Sequence, residues 1–199
     1  MHTCPHSTKR DRPLTDNLPH SWAPITDPSP TACGLPQSYD ASKEFAGKKV
    51  VLVSVPGAFT PSCQAMHVPP YLQNEEKLTS KGVDLVVIIA SNDPFVMNAW
   101  GKVNGCTKDS KVLFMSDSSF SKNHGWAAGM GDRNGRWAMI IEKDGTVSYA
   151  ENEASPKDVD VSFHHSLFES TSRMKTNNWL HRSPPPRLSS ASFRLLIPC

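Results

Sequence analysis

A chain of 199 residues with 38% hydrophobic content and 17 prolines has room for one domain of ordinary size, flanked by poorly structured ends. Its net charge of +2 gives no reason to expect nucleic acid or an anionic membrane as partner, and no apolar run reaches the roughly 18 residues needed to span a bilayer. The five cysteines (Cys4, Cys33, Cys63, Cys106 and Cys199) are scattered, odd in number and without a C-x-x-C pair, which argues against a disulfide-stapled secreted scaffold and for free thiols in a reducing compartment, the cytosol. The histidines lack the paired spacing of a zinc site, so no metal is expected. The opening "MHTCPHSTKRDRPLTDN" has no apolar core of a secretory signal.

Residues 1–30 carry six prolines and no apolar periodicity, and are expected to be an irregular lead-in. The texture then changes. "KKVVLVSV" (48–55) is a β-branched run of the kind that forms a strand buried on both faces. A helix is predicted to begin near Pro61, to be bent by Pro69-Pro70, to resume as "YLQNEEKLTSKG" and to stop at Gly82. "VDLVVIIA" (83–90) predicts a second buried strand. A helix over 92–105 follows, capped by Asn92 or Asp93, with Pro94 in its first turn and Gly105 as terminator. "KVLFMS" (111–116) predicts a third strand, and "RWAMIIEKDGTVSYAENE" a hairpin turning at Lys143-Asp144-Gly145. The order implies an α/β fold, a three-layer sandwich around a mixed sheet with an antiparallel edge. The tail, 163–199, combines a triple proline with a serine-rich, basic composition, and no folded domain is expected there.

The chemistry centres on "PGAFTPSC" (56–63), which follows the first buried strand. A lone cysteine is more often a packing residue. Here a Pro-Gly turn, a threonine three residues earlier and a helix start surround it, in the strand-to-helix turn where catalytic groups gather. Such a first-turn position favours a thiolate over a thiol, and Thr60 can aim its hydroxyl at the sulfur or at a bound substrate.

Pro56, Thr60 and Cys63 compose P-x-x-x-T-x-x-C, which resembles the active-site signature of peroxiredoxins. The longer string "VPGAFTPSCQAMHVPPYL" is similar to the peroxiredoxin-5 subfamily, especially its fungal alkyl hydroperoxide reductases. The likeness continues through "KGVDLVVIIASNDPFVMNAWGK", "FMSDSSFSKNHGW" and "GRWAMIIEKDGTVSYAENEASPKDVDVS", so it covers residues 31–162.

The resemblance implies a thioredoxin-like fold and reduction of hydrogen peroxide and organic hydroperoxides. It makes Cys63 the peroxidatic cysteine, Thr60 its hydrogen-bonding companion, Arg136 the arginine set against the thiolate and Pro56 the shield of the pocket. His67 falls where this subfamily commonly has histidine, in a supporting role. Cys33, in "TACGLPQSY", resembles the resolving cysteine that bonds the partner subunit, with Cys106 as its competitor. A homodimer recycled by thioredoxin, with no cofactor, completes the expectation. The family's closing helix has no visible counterpart after Ser162. That departure supports an alternative reading, a catalytically weakened, redox-sensitive binding protein. A thioredoxin-like disulfide exchanger is disfavoured by the missing C-x-x-C.

Overall fold

The computed structural model describes residues 21–124, 129–153 and 159. In chain order the elements are β1 (Ser21–Trp22), β2 (Gln37–Ser38), α1 (Ala41–Glu44), β3 (Val50–Ser54), a π-helical turn (Cys63–His67), α2 (Pro69–Gln73), α3 (Glu75–Ser80), β4 (Leu85–Ala90), α4 (Pro94–Val103), β5 (Val112–Ser116), α5 (Phe120–Asn123), β6 (Trp137–Ile141) and β7 (Val147–Asn152). The strands form one mixed sheet in the order β2-β1-β5-β4-β3-β6-β7. Its centre, β3, β4 and β5, is parallel, and both edges are antiparallel.

The two runs predicted to be buried strands and the third predicted strand form these parallel strands, and every residue of β3 is buried. Alternation along β3 divides the core in two. Val51 and Val53 face a cluster with Tyr71, Leu78, Met97 and Trp100, supplied by α2, α3 and α4. Val50 and Leu52 face the opposite cluster, which Ala41 of α1 and Phe120 of α5 help to close. Helices on both faces of one sheet make the three-layer, thioredoxin-like α/β sandwich. Asp93 caps α4, accepting from the backbone N–H groups of Phe95 and Val96, with Pro94 just inside. Gly82 and Gly105 adopt positive φ where the chain leaves α3 and α4.

Two expectations change. Ser21–Trp22, within the stretch expected to be irregular, is a short strand that pairs with the edge strand β2 and meets β5 at Ser116. Two residues are too few to show a period. The single bent helix expected over 61–82 is three pieces. Val68 N–H bonds the Cys63 carbonyl five residues back, which widens the first turn. Pro69 and Pro70 then open α2, where a missing N–H is no loss, and Asn74 separates α2 from α3. The expectations for 1–20 and 163–199 lie outside the described residues.

Candidate active site

Cys63 and Arg136 are 73 residues apart in sequence, and sheet topology brings them together. β3 and β6 are antiparallel neighbours with Ser54 opposite Trp137. The segment leaving β3 therefore emerges beside the segment entering β6. The first carries "PGAFTPSC" and the second carries Arg136.

The turn between β3 and the π-helical turn is tightly held. Asn92 Oδ1 accepts from Ala58 N at 2.8 Å, fastening the loop to the end of β4. Thr60 Oγ1 donates to the Gly57 carbonyl at 2.9 Å. A Cβ on Gly57 would come within 3.4 Å of both Asn92 Oδ1 and Thr60 Cγ2, so the turn closes on a glycine. Phe59 has φ of 58°, a left-handed conformation that a phenylalanine adopts only when its surroundings impose it. Pro56 is part-buried at the start of this turn.

Cys63 begins the π-helical turn with no solvent exposure. Arg136, 6% exposed, donates from Nη1 to Cys63 Sγ at 3.3 Å. The same Nη1 lies 3.1 Å from His67 Nδ1, one turn further along. A guanidinium can only donate, so Nδ1 is the acceptor and the ring hydrogen is assigned to Nε2. Burial, then the neighbouring Arg136 charge, pushes the His67 pKa down to about 3. His67 is thus a neutral acceptor, and its buried Nε2 has no hydrogen-bond partner among the described residues.

Asn134, two residues before Arg136, sets the approach of that strand. Its amide donates to Ser54 Oγ at 3.2 Å and to Asp117 Oδ2 at 2.9 Å, while Ser54 Oγ donates to the Gly135 carbonyl. Asp117 also accepts from the backbone N–H groups of Ser119, Phe120 and Ser121. The ends of β3 and β5 are in this way tied to the entry into β6. The long-range contacts of these residues were missed in the sequence, where nothing marks that Asn134 meets Asp117 and Ser54, 17 and 80 residues away, or that Asn92 meets Ala58, 34 residues away.

Of the residues singled out by sequence, the structure brings Cys63, Arg136 and His67 into contact. Thr60 stands one turn before Cys63, but its hydroxyl hydrogen goes to Gly57 rather than to sulfur, which leaves its oxygen lone pairs to accept. Cys33 lies elsewhere, on an exposed loop over α4. Lys102 donates to the Ser29 and Ala32 carbonyls, and Asn98 to those of Ala23 and Pro24, which fixes the loop to the helix. The groove beside Cys33 is lined by Phe95, Ala99 and Val103, spaced i, i+4, i+8 on the outer face of α4. Cys106 is 3% exposed, and burial pushes its thiol up to about 11.

A buried cysteine in contact with a buried guanidinium, on a sheet of this order, agrees with comparison to known proteins. The family model described as Redoxin matches residues 15–164. Peroxiredoxin Pen c 3 of Penicillium citrinum is 51% identical over 134 residues, 66% of this chain and 78% of that protein. Among solved structures, reduced Prx3 from Vibrio vulnificus in complex with H2O2 is 35% identical, with a TM-score of 0.61 over 76% of this chain and 93% of that one. Peroxiredoxin 5 from Alvinella pompejana is 30% identical, with a TM-score of 0.50 over 69% and 90%. The chain belongs to the redoxin family, as a peroxiredoxin of the peroxiredoxin-5 type, and is a thiol-dependent peroxidase.

Proposed function

We propose that Cys63 is the peroxidatic cysteine, and that it reduces hydrogen peroxide and organic hydroperoxides. The observation that carries this reading is the contact between Arg136 Nη1 and Cys63 Sγ, 3.3 Å in a site closed to solvent. Away from bulk water a guanidinium interacts strongly with a thiolate and with charge developing on a departing oxygen. The thiolate attacks one peroxide oxygen, the O–O bond breaks, and the other oxygen takes a proton and leaves as water or alcohol. Sulfur is oxidised by two electrons to the sulfenic acid. Thr60 accepts the O–H of the bound peroxide through the lone pairs that its bond to Gly57 leaves available, and Pro56 shields the sulfur side of the pocket. His67 holds the guanidinium.

Cys33 of a partner subunit resolves the sulfenic acid, releasing water and forming a disulfide, so the working unit is a homodimer. Two features favour Cys33 over Cys106: it is exposed, and Cys106 is buried and held protonated. Pairing within one chain is disfavoured because the Cys33 groove lies on the outer face of α4, while Cys63 packs in the cluster formed by Met97 and Trp100 on the inner face. A helix is about 10 Å across, and a disulfide needs Cα atoms within about 7 Å. Thioredoxin then reduces the disulfide by thiol exchange, in the cytosol. Among the described residues no helix is long and apolar enough to cross a membrane.

Stopped-flow Trp fluorescence of the reduced protein mixed with hydrogen peroxide or tert-butyl hydroperoxide tests the assignment, with non-reducing gels alongside. A fast phase that Cys63→Ser abolishes, and a dimer band that Cys33→Ser abolishes, are the expected results. A folded protein reacting no faster than a free thiol would refute the role of Cys63.

A further inference from the structure

Cys63 has no solvent exposure, and the turn that carries it must leave its seat before the sulfur can meet any thiol from outside. What holds that turn down is visible in the next residue. Gln64 Nε2 donates to Asn104 Oδ1 at 2.9 Å, and Gln64 Oε1 accepts from Trp100 Nε1 and, at 3.5 Å, from Asn104 Nδ2. Asn104 is itself fixed by donating to the Trp100 carbonyl at 2.8 Å. One side chain on the turn therefore makes three bonds to the C-terminal half of α4. The Phe59 ring, half exposed, rests on Trp100 with centroids 6.2 Å apart.

The backbone on this stretch is not at rest. Phe59 is left-handed, and the turn itself is π-helical rather than α-helical. Both geometries persist only where surrounding contacts over-determine them. None of the Gln64 bonds reaches Cys63 Sγ or Arg136, so they are not part of the reacting arrangement.

We propose that Gln64, Asn104 and Trp100 form a clamp that sets how often the Cys63 turn opens, and so the rate at which oxidised Cys63 becomes available to a second thiol. The consequence for disulfide formation rests on the assignment of Cys33 as the resolving thiol; the clamp itself does not. Breaking it raises the frequency of opening and leaves the reaction with peroxide, which occurs in the closed arrangement, unchanged.

The test uses the full chain carrying Cys33→Ser, with Cys63 alkylation by iodoacetamide followed by mass spectrometry of the Cys63 peptide. Gln64→Met removes the clamp from the turn, and Asn104→Ala removes it from α4. Each is expected to speed Cys63 alkylation by about tenfold, the scale of one or two lost part-buried hydrogen bonds. The bimolecular rate with hydrogen peroxide should stay within about twofold, since the groups that touch sulfur are untouched. Unchanged alkylation in both folded variants overturns the proposal; if Gln64→Met fails to fold, Asn104→Ala decides alone. A parallel peroxide loss in both variants likewise overturns it, because the clamp would then be shaping the closed site. In chains that retain Cys33, disulfide formation should accelerate by the same factor. Faster alkylation without faster disulfide formation keeps the clamp and refutes the resolving role of Cys33.

Discussion

Arg136 Nη1 lies 3.3 Å from Cys63 Sγ and 3.1 Å from His67 Nδ1, so the two hydrogens of a single guanidinium nitrogen serve the Cys63 sulfur and the imidazole together. The imidazole takes one hydrogen and thereby aims the other. An Asn side chain places an acceptor oxygen close to the position of Nδ1, whereas Leu supplies none. His67→Asn should keep the peroxide rate within about threefold, and His67→Leu should lose about tenfold, the worth of one buried charge-assisted bond. Arg136→Met should lose on the order of a hundredfold or more, as when a preorganised donor is removed from a developing charge. Stopped-flow rates on folded variants check the series; equal losses for Asn and Leu would mean that His67 acts by packing alone.

The same histidine links stability to pH. Its pKa is about 3 when folded against 6.5 in its ordinary state, so between these values the unfolded chain binds the extra proton. The contribution is complete above pH 6.5 and is lost as pH falls through that window, on the order of 2 kcal/mol by pH 5. Denaturant melts from pH 7 to 5 should fall more steeply for the wild type than for His67→Asn. Identical slopes would place the histidine in a solvated setting.

The Cys33 loop is expected to act as a positioned element rather than a loose tether. A Cβ at Gly34 would stand 2.4 Å from the Pro24 carbonyl oxygen, which is backbone and cannot rotate away. Gly34→Ala should displace the loop, and Lys102→Met should unpin it from α4. Both should slow the dimer band on non-reducing gels by about tenfold, because alignment of a resolving group carries much of its rate. The peroxide phase should not change. Dimer formation as fast as in the wild type would show that the loop's placement is irrelevant.

Thr60 separates two uses of one hydroxyl. Thr60→Ser keeps the bond to Gly57 and the lone pairs, while Thr60→Val keeps the shape without either. The peroxide rate should survive within about fivefold in the first and fall by at least about tenfold in the second, given the scale of a buried hydrogen bond to a reacting group. Comparable rates for both would leave the threonine a purely structural residue.

How much of this was readable beforehand follows from the range of each interaction. β3 and β4 announced themselves because a strand covered on both faces is apolar along nearly its whole length, as "VVLV" and "LVVIIA" are, and the apolar run "VLFM" likewise marked β5. The α4 cap was legible, to within Asn92 or Asp93, because Asp93 and the backbone N–H donors it accepts from are neighbours in sequence. The widened turn at Cys63 was not, since nothing local distinguishes a bond five residues back from one four residues back. Ser21–Trp22 is a strand because β2 and β5 flank it, and two residues carry no such message of their own. The motif supplied Cys63 and the family resemblance Arg136, but neither supplied Asn134 and Asp117, whose meeting depends on where three strands end.

Pairing of Ser54 with Trp137 also makes the sheet a gauge for the distance between Cys63 and Arg136. Side chains alternate along a strand, so a one-residue slip of β6 would turn Arg136 to the other side of its strand, and a two-residue slip would carry it about 7 Å along the strand. The irregularity in this part of the sheet falls at Ile140/Ile141, between β6 and β7, toward the far end of β6. Tolerance to insertion should therefore be graded along the hairpin: free near Gly145, and absent between Asn134 and Ala138, where one added residue would uncouple arginine from sulfur while the protein stayed folded.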